Sequence, residues 1–455
     1  MKKRKLTLIG AGSAMFTQGF IADLLNNTNG NQWHIVLVGT NEKKLSTIAK
    51  LAKKMIEYKK NIEVTLSYTT NRQEALKDAD YVLVTVGVGG RRAWEQDVFI
   101  PRKYGVMQPV GDTIMPGGIS RAMRMIPVIL DIAKDIKAIC PGAVFLNYSN
   151  PMTMICKAVT KTVDTQIVGL CAGVPSNLKY LAETANLPIE ECSGYWGGVN
   201  HCTFIYEFRH RGKDVWPKVK AAIAGQDLTD LIDVTEALKV ASLMGEKKKK
   251  ISEPFSWWFL ENHGAYPAPS DRHVTEFYPE YFPEGKYYGK VLGVDAYSFE
   301  GSIAIGDEIH QKAMANAESE TPLEDEFFEG LSGDHEQLMK IIRSIENDER
   351  EIISANVVNN GTLPGISDDA IVEVPCVVGA HGFTPIRQPQ FPAVFAAHTN
   401  RFLSIVDMTV EAALTGNKNY FKQAILMGGY LQDKDAAEKM AEELLSSQKM
   451  FLPQF

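Results

Sequence analysis

The sequence predicts an α/β chain: a doubly wound parallel sheet first, then a mixed α+β domain. Three observations carry this. Apolar strand-like runs alternate with helical stretches over the first 175 residues. A glycine turn closes the first strand and opens a helix. Past residue 175 the alternation becomes that of antiparallel hairpins. We divide the chain into 1–175 and 176–455 accordingly.

In order, KLTLI at 5–9 is the first strand, and Gly10, Gly12 and Ser13 lead into the helical pattern AMFTQGFIADLL. HIVLV at 34–38 is a second strand before a helix over 41–58. DYVLVTVGVGG at 80–90 is a third strand ending in glycines, and a helix near 119–138 precedes the strand AVFLNYS at 143–149. A helix follows Pro151, and TQIVGLC brings the chain to Cys171. GGVNHCTFIYEFRHRGKDV at 197–215 reads as a hairpin, followed by helices at 216–224 and 228–244 and a solvated KKKK at 247–250. Residues 254–289, rich in aromatics and proline, read as an irregular cap. Acidic stretches near 318–330 and 346–350 read as surface loops, and amphipathic helices near 393–415 and 432–447 close the chain.

Composition bounds the function. A chain of 455 residues with 45 % hydrophobic and 23 % charged residues suits a globular enzyme. A net charge of −7 argues against a nucleic-acid binder. No apolar run reaches the roughly 18 residues of a membrane span. The N-terminal MKKRKLTLI imitates a signal peptide until glycines interrupt it, so a cytoplasmic location with six reduced cysteines is expected.

The chemistry starts at the glycine turn. Gly10, Gly12 and Ser13 place backbone N–H groups at a helix N-terminus, where a dinucleotide pyrophosphate binds in a Rossmann-like domain. The third glycine of the usual fingerprint is missing near Met15. The acid expected at the end of the second strand is replaced by Gly39, Thr40 and Asn41, so a 2′-phosphate is not repelled and NAD and NADP both stay open. Cys171 ends a strand at the carboxyl edge of the sheet and His201 lies in the next hairpin. Their spacing alone is no metal motif, and taken singly Cys171 reads first as a buried small hydrophobe and His201 as a satisfied core histidine.

Further segments set those two residues in context: GDTIMPGG at 111–118 within a longer stretch 100–127, NYSNPM at 147–152, GLC at 169–171, GVNH at 198–201, SDRHVTEF at 270–277 and the late segment 357–378. With KLTLIGAGS, this order resembles glycoside hydrolase family 4, the NAD-dependent glycosidases related to lactate and malate dehydrogenases. The resemblance implies a C-terminal domain that supplies substrate, metal and oligomer contacts. It also implies NAD-mediated oxidation at sugar C3, metal-assisted C2 deprotonation, elimination, water addition and re-reduction, in place of the ordinary carboxylate pair. It makes Cys171 and His201 ligands of Mn²⁺ or another divalent metal, although a thiolate is not the donor that softness selects for manganese. It gives Asn150 the sugar hydroxyls and puts Asp112 over the nicotinamide, against a plain turn role. For the base it offers Asp271, whose alternative is a helix cap, and Tyr266.

His273 and Arg91 are candidate substrate contacts; for each a solvated surface position is the alternative. Lacking the phosphosugar segment at GDT, the chain looks like the branch acting on free α-hexosides or hexuronides. Ala172, after the cysteine, can neither donate a proton nor orient a hydroxyl. The partners expected are a small carbohydrate and a second copy, as homodimer or homotetramer, with neither nucleic acid nor membrane. The competing readings are a sugar or 2-hydroxyacid dehydrogenase that keeps its hydride, and a cofactor-binding homologue without catalysis.

Overall fold

The computed structural model describes residues 2–12, 14–60, 63–229, 252–329, 331 and 337–455. Ser13, most of the helix expected at 228–244, and KKKK at 247–250 lie outside the described residues. Thirteen strands among the described residues form one sheet. Its parallel part follows the expected alternation: β1 (Lys3–Ile9), α1 (Ala14–Asn26), β2 (Gln32–Val38), α2 (Glu42–Tyr58), β3 (Val64–Thr69), α3 (Arg72–Leu76) and β4 (Tyr81–Val84). It continues through α4 (Gly90–Lys103), α5 (Pro116–Ile139), β5 (Val144–Asn147), α6 (Met152–Thr162), β6 (Val168–Gly169) and α7 (Gly173–Thr184). The strands lie in the order β6-β5-β4-β1-β2-β3. The chain therefore reverses its direction of travel across the sheet between β1 and β4, which opens a crevice above their carboxyl ends. The strand expected over TQIVGLC shortens to two residues, since only Gly169 meets a partner beyond β5. β3, α3 and α4 were not anticipated; Pro101 near the end of α4 and the half-polar face of β3 hide both patterns.

The sheet does not stop at residue 175. β6 pairs antiparallel with β10 (Glu351–Val358), and β11 (Ile371–Gly379), β7 (Cys192–Val199), β8 (Cys202–His210) and β9 (Tyr266–Ala268) follow in that order. β7 and β8 form the expected hairpin, closed by the two residues Asn200 and His201 between paired Val199 and Cys202. A bulge interrupts it: Tyr195 faces Glu207 but Trp196 faces Ile205, which leaves Tyr206 unmatched on β8. The supposed irregular cap is half regular, with a ten-residue helix Pro254–His263 started by proline and ended at Gly264 (φ 83°). The acidic stretch near 318–330 also departs from a simple loop, holding the end of a helix Phe299–Glu318 and the short turn Asp325–Glu329.

The long helix Ala393–Thr415 packs its buried face against α5 and α6. The last residues reach back as well: Gln448 Nε2 donates to Ala93 O at 2.9 Å and Gln454 Nε2 to Met123 O at 2.7 Å. The six cysteines form no disulfide. Among the described residues no helix is long and apolar enough to cross a membrane.

Candidate active site

At the β1–β4 crevice, Gly10 adopts φ 97°, and a Cβ there would lie 2.6 Å from Thr85 O, so only glycine fits. Its N–H and that of Ala11 donate to Val38 O, fastening the turn to the end of β2. Above Gly12 there is open space. Asn41 stands where the ribose acid would be, and its side chain caps α2 by accepting from Lys44 N at 3.0 Å.

Three elements then bring polar groups together beside this crevice. The turn after β5 is shaped by Asn147, whose carboxamide spans to Ser149 N (3.1 Å) and Ser149 O (3.0 Å). It delivers Asn150 ahead of a cis bond to Pro151. The loop 107–115 is pressed onto the start of α5, where Gly117 and Gly118 meet Gly111 O and Thr113 so closely that a Cβ would clash. That loop delivers Asp112. The third element is the β7–β8 turn, where His201 is held at φ 68°, a conformation costly for a side chain of its size.

Asp112, His201 and His273 each offer one ligand atom, and these atoms lie within 4.8 Å of one another. Asn150 Nδ2 donates to Asp112 Oδ2 at 2.9 Å, and Thr113 Oγ1 donates to Asp112 Oδ1 at 2.8 Å. Thr113 Oγ1 also sits 2.7 Å from His201 Nδ1. A hydroxyl has one proton, so with that proton on Asp112 the imidazole must be the donor here. The lone pair of His201 then sits on Nε2. The ring of His273 lies 4.0 Å from that of His201, centroid to centroid.

Burial alone would raise the Asp112 carboxyl. The fields of His201, His273 and Arg121 and the Thr113 hydrogen bond overcome it and hold the group below the usual carboxylate range. Burial pushes both imidazoles down, His273 the more because His201 lies against it, so both are neutral at pH 7. His273 Nδ1 and Asn150 Oδ1 are buried with no hydrogen-bond partner.

The cluster differs from the expected one. Cys171 is not among the three; its Sγ accepts from Gly173 N at 3.3 Å. Enclosure, with the fields of Glu373 and Asp112, pushes its thiol up to about 12. Asp271 is fully buried and spent on the start of the helix Pro254–His263. It accepts from Phe255 N (2.7 Å), Ser256 N (2.8 Å), Ser256 Oγ (2.5 Å) and Tyr287 OH (2.5 Å). It is an N-cap, but of a helix sixteen residues upstream rather than the one it begins. Tyr266 is a core phenol, packed on Trp257 at 4.8 Å and Tyr180 at 6.3 Å, and burial pushes it well above its usual value. Neither is placed as a base. Arg91 is half exposed at the surface, paired with Glu95 at 3.0 Å and with Asp307.

Sequence reasoning weighed Glu276 as a pocket-lining residue against a surface position, included Thr113 only within the GDT segment, and missed Glu373. Glu276 is buried. Its Oε1 accepts from Val110 N and Gly111 N, both at 2.7 Å, and burial pushes its carboxyl up to about 8. Glu373, an acid inside the apolar run IVEVP, accepts from Asn200 Nδ2 (3.3 Å), Thr203 Oγ1 (3.1 Å) and Ser354 Oγ (3.2 Å) beneath the His201 turn. A lone acid in a buried strand was the available signal.

Comparison with known proteins gives the family. Residues 5–187 match the model of family 4 glycosyl hydrolases, and residues 196–428 match that of the family 4 glycosyl hydrolase C-terminal domain. The chain is 30 % identical to an α-galactosidase of Rhizobium meliloti (strain 1021), covering 100 % of this chain and 90 % of the relative. It is also 30 % identical to a probable 6-phospho-β-glucosidase of Bacillus subtilis (strain 168), covering 100 % and 98 %. A crystal structure of a 6-phospho-α-glucosidase from gut microorganisms, in complex with NAD and Mn²⁺, superposes with a TM-score of 0.81 at 20 % identity over 100 % of both chains. The chain belongs to family 4 of the glycosyl hydrolases.

Proposed function

We propose that this glycosidase cleaves a non-phosphorylated hexoside or hexuronide by a redox route that uses NAD and a divalent metal. The observation that carries the reading is the hydrogen-bonded row Asn150–Asp112–Thr113–His201, with His273 against it, at the mouth of a dinucleotide crevice. The metal suits the residues present. One carboxylate and two neutral imidazoles are a fitting donor set for Mn²⁺, and His273 Nδ1 is a buried nitrogen still lacking a partner. Asp112, His201 and His273 would hold the ion, with Cys171 as a further donor once its thiol loses its proton. The metal would supply Lewis-acid polarisation of the sugar oxygens at C2 and C3.

The turn at Gly10 and Gly12, open above Gly12, would receive the pyrophosphate of NAD, which would supply reversible hydride transfer at C3. Asn150 donates one amide N–H to Asp112, and its buried Oδ1 can accept a sugar hydroxyl and so fix the ring. Asp112 stays ionised and anchors that amide. The α-galactosidase relative and the GDT segment support an unphosphorylated substrate; the 6-phospho-β-glucosidase relative names the competitor.

The test is incubation with NAD and Mn²⁺ in D₂O over paired free and 6-phosphorylated aryl glycosides, including uronides. Cleavage of a free glycoside with deuterium at C2 of the released sugar and no net NADH is expected. Cleavage confined to phosphorylated substrates overturns the substrate assignment. Accumulating NADH without cleavage overturns the redox-glycosidase reading in favour of a dehydrogenase.

A further inference from the structure

We propose that Glu276 is a positioning residue, a clamp that fixes the spacing between the loop carrying Asp112 and the turn carrying His273. The inference rests on the metal reading above and concerns how the chain holds two of the ligands apart by the right distance.

Asp112 and His273 are 161 positions apart, and no hydrogen bond joins their side chains among the described residues. Glu276 follows His273 by three residues, in the short turn Thr275–Phe277 that continues Asp271–Val274. Its carboxyl reaches across to the other ligand's loop and takes two successive N–H groups, Val110 and Gly111, on a single oxygen at 2.7 Å each. Gly111, next to Asp112, adopts φ 63°, and a Cβ there would press on Val98 at 2.8 Å. The peptide on the N-terminal side of Asp112 thus has little freedom, and the clamp selects its direction.

The same loop has other ties: Trp94 Nε1 donates to Val110 O at 2.7 Å, and the side chains of Asp112 and Thr113 meet Asn150 and His201. Gln108 bridges Asp97 O and Gly117 N, and Tyr430 OH donates to Ile114 O at 2.7 Å. Glu276 holds the backbone N–H groups of the two residues before Asp112, which these other ties leave to it. Its other oxygen, Oε2, is buried with no partner, so one acceptor oxygen performs the contact and a carboxamide can replace it.

The experiment compares wild type, Glu276→Gln and Glu276→Ala as full chains with NAD. Free Mn²⁺ is followed by its electron paramagnetic resonance signal, and amide exchange of the peptide covering 107–113 is followed by mass spectrometry on metal-free protein. The expected result is a Mn²⁺ dissociation constant roughly 10–100-fold higher for Glu276→Ala, as for other groups that orient metal ligands, and near wild type for Glu276→Gln. Exchange in 107–113 should accelerate in Glu276→Ala alone. Wild-type Mn²⁺ affinity in a folded Glu276→Ala protein overturns the clamp, as does a Glu276→Gln protein as impaired as the alanine variant. A wild type that takes up no Mn²⁺ overturns the metal reading, while the exchange comparison still reads the contact between the two segments.

Discussion

Asp112 and Asp271 are both buried carboxylates in segments the sequence singled out, and their partners divide their roles. Asp271 receives four hydrogen bonds and faces a helix start; Asp112 receives two, from Asn150 and Thr113, and shares its surroundings with two imidazoles. Asp271→Asn should lower stability by about 1–3 kcal/mol in urea unfolding, since buried donors lose an acceptor, and keep kcat within a few-fold. Asp112→Asn should leave stability nearly intact and lower kcat/KM by at least about 100-fold. A loss of kcat in Asp271→Asn beyond its loss of folded protein would return that residue to the chemistry. The cap alternative was legible for Asp271, but its partner helix lies upstream, and a contact made by folding back leaves no local signature.

Glu373 gives a second residue-level outcome. Burial raises its carboxyl from 4.5 to about 7, against the pull of its hydrogen bonds. A raised carboxyl binds its proton more tightly in the folded state, so its contribution is full below pH 4.5 and is lost as pH rises through about 7. The loss amounts to roughly 3 kcal/mol at about 1.4 kcal/mol per pH unit. Glu373→Gln has no such titration. Its urea midpoint relative to wild type should therefore be higher at pH 8 than at pH 5, and equal offsets at both would show that the carboxyl does not titrate in this window.

At the scale of elements, the β7–β8 turn joins structure to chemistry most directly. A two-residue hairpin turn with a left-handed residue usually recruits glycine or asparagine there, and this chain spends that position on His201. His201→Gly should be more stable than His201→Ala by about 1 kcal/mol in thermal unfolding, because only glycine relaxes at φ 68°. Both should lose Mn²⁺ binding. Equal stabilities would mean the turn rearranges once the imidazole is gone. The hairpin itself was readable from alternation; the convergence on His201 of the loop between α4 and α5 and of the turn after β5 was implied by the family resemblance. The inclusion of His273 over Cys171 in the tightest cluster was not, since it depends on how the segment 264–277 folds back, and its pattern is obscured by prolines and aromatics.

For the whole molecule, the sheet continues from β6 into β10, so strands of both halves share one sheet. The helix Ala393–Thr415 covers α5 and α6, and β6 is too short to be an independent edge. We expect one unfolding transition, with tryptophan fluorescence and far-ultraviolet circular dichroism coincident. Residues 1–175 expressed alone should fail to fold, having lost the cover over α5 and α6. Two separated transitions would place a real boundary at 175. The alternation of strand and helix announced the parallel half; the union of the halves stayed hidden because antiparallel partners such as Gly169 and Asn356 are far apart in the chain.

The bulge at Tyr206 has a consequence for how changes far from the pocket reach it. Side chains on a strand alternate between faces, so the unmatched residue acts as a phase shift between the outer half of the hairpin and the half ending in His201. Thr203 and Glu207, four residues apart on β8, pair with Gly198 and Tyr195 on opposite faces of β7, so Thr203 reaches Glu373 while Glu207 faces the other way. The extra residue, as much as the composition, sets which face each half of the hairpin presents.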